Sequence, residues 1–183
     1  MMRAELARLP DGVYSAETST QDDGIDKQAV YTAYLKATIE GDAITFDFAG
    51  SSPQAPGWIN GVYATAFSAA ICTLFMCVDP FIPRNDGALR PIQVMVPEGS
   101  FLNALYPAAS VRGNFTCNDV IGDCVMKALA VVMPERVTAT WARSLTCSIG
   151  GVNPRNEEKY YDVMFMSYCG GAGATQGTDG WNY

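Results

Sequence analysis

From Val62 to Val78 the chain runs without one charged residue, and this stretch limits the fold more than any other feature. A membrane-spanning helix needs about 20 apolar residues. This run falls short of that, is interrupted by Thr65, Ser68 and Thr73, and is closed by Asp79-Pro80. Phe67, Ile71, Leu74, Phe75 and Val78 recur at helical spacing. The pattern predicts a helix buried in a globular core, not a membrane span. Such a helix must be wrapped by other elements, and the flanking sequence provides them.

Upstream, Gly12 to Ser15 opens an extended stretch, and Gln21-Asp22-Asp23-Gly24 reads as a turn. Val30 to Ile39 is rich in β-branched and aromatic residues, and Ile44 to Phe48 alternates apolar with polar. Glu40-Gly41-Asp42 between them predicts a β-hairpin. Ala49 to Asn60, broken by two prolines and two glycines, is loop. Downstream, Pro91 to Pro97 reads as a short strand and 98–117 as irregular chain.

A second helix is predicted from about Asp119 to Met133. Ile121, Val125, Leu129 and Val132 form its apolar face, Asn118 or Asp119 caps it, and Pro134 stops it. Strand-like pieces follow near Val137–Trp141 and Lys159–Tyr168. Hairpins and isolated helices without an internal repeat predict an α+β fold: antiparallel hairpins and a mixed sheet packed with two main core helices.

The chemistry open to the chain is bounded by what it lacks. There is no histidine in 183 residues, so neither a Ser-His-Asp nor a Cys-His arrangement can form within it. The commonest metal ligand is missing too. The six cysteines contain no CxxC pair, which excludes a zinc ribbon or a thioredoxin-like motif. Several sit in apolar runs, as small buried hydrophobes do. The first residues lack the apolar core of a secretory signal. A cytoplasmic location with reduced thiols is the resulting expectation. With 12 basic residues scattered along a chain of net charge -7, nucleic acid is not an expected partner. Only 17% of residues are charged, against about 25% in typical soluble domains, which suggests that much surface is covered by other subunits.

Four candidate features remain. Asn60 and Asn114 follow turn-forming residues and could contact substrate, although such asparagines usually bond local backbone. Asp119 and Asp123 fall at i and i+4 on one helix face, as an acid–base pair or as a solvated face. Cys117 lies near the predicted helix start, where thiol pKa values fall. The loop Cys169 to Ala174, with Gly170, Gly171 and Gly173, is either a plain turn or a backbone nest for an anion.

Several stretches resemble the hydantoinase B/oxoprolinase family. They are Asp47-Phe48-Ala49-Gly50-Ser51-Ser52-Pro53-Gln54 with Gly57 and Asn60, then Asp79 to Gly87 with Arg90-Pro91-Ile92. Val96 to Ser100, Leu102-Asn103, Pro107-Ala108, Gly113-Asn114, Asp123, Gly150-Gly151, Tyr160-Tyr161, the glycine cluster at 170–173 and Asp179-Gly180 continue in order. The resemblance implies the B component of a two-component enzyme: a hydantoinase, 5-oxoprolinase or caprolactamase, or a related acetone or acetophenone carboxylase. It implies an ATP-binding hydantoinase A-like partner that phosphorylates the substrate. Family members are several times longer and carry metal-binding His and Asp residues in their N-terminal region. Residues 1–183 therefore read as a single partial domain, a central segment. Companion chains are expected to supply the missing N- and C-terminal parts, with ATP and a divalent metal bound elsewhere in the complex. The alternative is a non-catalytic protein of structural or assembly type. No Walker pattern is present, so ATP binding is not expected of this chain.

Lacking histidine and paired cysteines, the isolated chain should retain no tightly held transition metal. Elemental analysis of the folded chain checks this, with less than one equivalent of zinc, manganese or iron as the expected result.

Overall fold

A computed structural model describes residues 1–140, 144–168 and 172–180. Its main sheet is built from β1 (Gly12–Gln21), β2 (Val30–Glu40), β3 (Ala43–Asp47) and β4 (Ile92–Met95), in that spatial order. β1–β2 and β2–β3 pair antiparallel, and β3–β4 pair parallel, so the sheet is mixed. Alternation sets its faces: Ala33, Leu35, Ala37 and Ile39 of β2 and Ile44 and Phe46 of β3 are all buried. The hairpin joining β2 to β3 turns at Gly41-Asp42, with Glu40 opposite Ala43.

Two long helices complete the core on that side, the second lying on the sheet and the first packed against the second. α1 (Tyr63–Cys77) is the uncharged run, and it buries Ala66, Ala70, Leu74 and Cys77. α2 (Gly113–Leu129) buries Cys117, Val120, Ile121, Cys124, Val125, Ala128 and Leu129, a stripe at i, i+3, i+4, i+7 spacing. It packs on α1 on one side and on β1 and β2 on the other. Polar contacts fix its height: Thr18 Oγ1 donates to the Val120 carbonyl at 2.7 Å, and Lys127 Nζ to the Glu17 carbonyl at 2.9 Å. A short helix at Met2–Leu6 seals one end, where Arg136 pairs with Glu5. A second two-stranded sheet, β5 (Ser144–Val152) with β6 (Lys159–Tyr168), follows. Among the described residues no helix is long and apolar enough to cross a membrane.

The α+β architecture is as the sequence predicts, with local corrections, one of which is that α2 ends at Leu129 and gives way to turns before Met133. α2 begins at Gly113, well before Asp119, and neither Asn118 nor Asp119 caps it. Its first turn has no side-chain cap; it is held because the Arg112 N–H bonds the Trp58 carbonyl and the Phe115 and Thr116 N–H groups bond the Arg112 carbonyl. A tertiary contact thus starts the helix in place of a capping residue. Residues 137–140 are not strand: Ala139 N–H makes a single bond to the Ala174 carbonyl, while the strand itself starts at Ser144. Finally, β1 extends through Gln21, paired residue for residue with β2.

Phe46 is fully buried at the centre of the sheet. Phe46→Ala should cost about 3–5 kcal/mol through lost burial and the cavity left behind. A urea titration would report this as a lowered midpoint at unchanged slope.

Candidate functional site

The loop 49–61 is held from three directions. Ser52 N–H bonds the Thr32 carbonyl, its hydroxyl accepts from Thr32 N–H, and its carbonyl accepts from Phe101 N–H. Gln54 bonds Gly99 through its N–H and accepts from Leu105 N–H at its side-chain oxygen. The third tie is Asp23, which is 1% exposed. Its carboxylate accepts from the N–H groups of Ile25, Asp26 and Gly57 and from the Tyr31 hydroxyl. The bonds from Asp26 and Ile25, then those from Tyr31 and Gly57, hold its pKa below the usual carboxylate range, against an opposing push from burial.

Asn60 sits at the centre of this loop and is wholly buried. Its Oδ1 accepts from Ala55 N–H at 2.7 Å, and its Nδ2 donates to the carbonyls of Ala55, Gly57 and Ala109 at 2.8–2.9 Å. The amide is therefore engaged by backbone on every side and ties the loop to the chain entering α2. Gly113 is required there, because a Cβ on it would lie 1.9 Å from the Asn60 carbonyl oxygen. Asn114, next in sequence, is exposed on the first turn of α2. The structure thus places Asn60 and Asn114 close together, but only Asn114 presents its side chain outward.

Cys117 is buried beneath the same loop, with its thiol directed at the carbonyls of Ile59 and Phe101. Burial pushes its pKa up to about 12, so it stays a neutral thiol. That reverses the effect expected of a helix start: loss of hydration outweighs the helix end.

Further along α2, Asp119 and Asp123 face a cleft of about 150 Å³ between α1, α2 and the segment 138–140. Asn118, Thr73 and Thr138 add polar groups to its walls, and Thr140 Oγ1 bonds Asp123 at 3.2 Å. Asp119 stands in mid-helix, away from the helix end. Of the glycine loop, Gly170 and Gly171 lie outside the described residues. Gly173 abuts the cleft wall: a Cβ on it would come within 1.8 Å of the Ala139 carbonyl, while the Ala174 carbonyl accepts from Ala139 N–H. Close backbone packing accounts for glycine at 173. Among the described residues no three Cys, Asp or Glu side chains converge as a metal site. Sequence alone does not single out Asp23 and Tyr31, which organise the loop; the Asp-Asp-Gly turn is visible there, but its long-range partner Gly57 is not.

A mixed sheet packed with two buried helices, with an interlocked loop and a polar cleft along one helix, defines an α+β fold. The chain matches the family model for hydantoinase B/oxoprolinase across residues 1–183, and it belongs to that family. It is 34% identical to the beta chain of the caprolactamase of Pseudomonas jessenii over 98% of its own length and 31% of that protein's. To a Pseudomonas sp. (strain NS671) protein named as the B component of a D-/L-hydantoinase it is 30% identical, covering 93% of itself and 30% of the relative. The crystal structure of the ATP-dependent caprolactamase from Pseudomonas jessenii superposes with a TM-score of 0.82 at 33% identity, over 99% of this chain and 31% of that one. A nucleotide-free acetone carboxylase structure superposes at 0.79 with 20% identity, over 98% and 26%, and so shares the fold. The chain spans about a third of the length of the two Pseudomonas relatives.

Because the folded-state pKa of Asp23 is depressed, its contribution to stability is fully present above the ordinary value of 3.8 and is lost as pH falls through the lower folded value. Stability should therefore drop on acidification below about pH 4 in the wild type, and the slope in that window should flatten in Asp23→Asn. Thermal melts from pH 2 to pH 6 check both.

Proposed function

We propose that this chain is a segment of the B component of an ATP-dependent hydrolase of cyclic amides or imides, acting with an ATP-binding A component. The observation that carries this reading is the overlay of nearly the whole chain on the ATP-dependent caprolactamase, at 33% identity. The companion parts of the B component and the ATP-binding partner supply nucleotide and divalent metal chemistry; this chain supplies the loop scaffold around Asn60 and the cleft between α1, α2 and residues 138–140. Asp119, Asp123 and Asn118 are among the polar groups that line the cleft, with the threonine hydroxyls of Thr73, Thr138 and Thr140.

The test is reconstitution of the chain with the companion N- and C-terminal parts and an A component, supplied with a lactam, a hydantoin or 5-oxoproline and ATP. Ring-opened amino acid appearing in step with ADP supports the hydrolase. Carboxylated ketone formed with bicarbonate would support the carboxylase instead, and neither product would leave an assembly role.

The same preparation tests the glycine loop, where consecutive backbone N–H groups are proposed to hold an anionic intermediate. Gly171→Val should then lower turnover roughly a hundredfold, about 3 kcal/mol of transition-state stabilisation, with thermal stability little changed. Equal turnover per folded molecule with lost stability would identify a plain turn.

A further inference from the structure

Each other asparagine in the chain is followed by a residue with a side chain; Asn60 alone precedes glycine. With no Cβ at the following residue, the backbone nitrogen reaches the asparagine amide carbon with little steric hindrance. The Gly61 nitrogen can then attack Cγ of Asn60. A C–N bond forms, the Cγ–Nδ2 bond breaks, and Nδ2 leaves as ammonia carrying the proton lost from Gly61. Water opens the resulting succinimide at either carbonyl to give aspartate or isoaspartate. The balance is one water consumed and one ammonia released, with no oxidant or cofactor.

The fold blocks every part of this reaction. Gly61 N–H is committed to the Phe101 carbonyl at 2.7 Å. The Asn60 amide is held by four hydrogen bonds in a fully buried position, and water has no access to it. The product is equally excluded by the fold. An aspartate at 60 would set a carboxylate, which donates nothing, against the carbonyl oxygens of Ala55, Gly57 and Ala109. Isoaspartate would lengthen the backbone beside the Asn60 carbonyl, which Gly113 already approaches as closely as a missing Cβ allows.

We propose that Asn60-Gly61 is a deamidation site silenced by the native loop, so that each episode of unfolding chemically commits a fraction of chains never to refold. The fold protects the bond, and the bond's hydrolysis forbids the fold.

The experiment holds the full chain in urea at mildly alkaline pH, withdraws samples into refolding buffer, and maps modified asparagines by peptide mass spectrometry. The unrefoldable fraction should grow in parallel with conversion at Asn60, while the refolded fraction carries intact Asn60. The folded chain at the same pH should convert slower by roughly 10³ or more, the population ratio of an ordinary native domain. Refolded protein carrying aspartate or isoaspartate at 60 would overturn the proposal, as would equal conversion in folded and unfolded chains. Asn60→Asp, made directly, provides the independent arm: it should fail to reach the native circular-dichroism spectrum, and a native spectrum from it would overturn the proposal too.

Discussion

Burial of α2 between α1 and the β1–β2 half of the sheet is the constraint on which the rest of the structure depends. Seven of its side chains are buried, so neither the sheet face nor α1 could stay dry without it. Its position is fixed by polar contacts to backbone as well as by apolar packing. The Thr18 hydroxyl holds the Val120 carbonyl, and Gly122 packs beside Thr73 of α1. The depth at which α2 sits decides where Asn114, Asp119 and Asp123 are presented, so the cleft is a by-product of core packing.

Six of the residues that carry the family resemblance hold loops together. Ser52, Gln54, Gly57, Asn60, Asn103 and Gly113 each bond or abut backbone from another part of the chain. Such residues are demanded by geometry and not by a particular substrate. That fits a scaffold shared between a caprolactamase and an acetone carboxylase whose sequences are 33% and 20% identical to this chain.

What can be read from the sequence follows from local periodicity. The uncharged run matches α1 within a residue at each end, and the alternation around Glu40-Gly41-Asp42 matches the β2–β3 hairpin. The start of α2 is hidden because a contact between Gly113 and Asn60, far apart in sequence, replaces a capping side chain. The role of Asp23 is hidden likewise, since Gly57 and Tyr31 reach it only after folding. Asn60 reads from sequence as a candidate contact for substrate, and its four backbone bonds become visible only in three dimensions. Spacing locates the carboxylates of the cleft on one helix face, while the opposing wall, Thr138 to Thr140, belongs to chain that adopts no regular structure.

The parallel pairing of β3 with β4 has a consequence for the order of assembly. β2 and β3 are joined by a tight turn and β1 and β2 by a modest loop, and contacts of that kind form in about 1–10 μs in isolated hairpins. β4 reaches β3 only after the chain has travelled through the loop around Asn60 and the whole of α1. Closing so long an excursion carries an entropic cost before any strand pairing repays it, which slows folding. The sheet therefore grows from one edge, quickly through three strands and late at the fourth. Until β4 pairs, the β3 edge that carries Ile44 and Phe46 has free backbone N–H and C=O groups, and such an unpaired edge is a template for pairing with another chain.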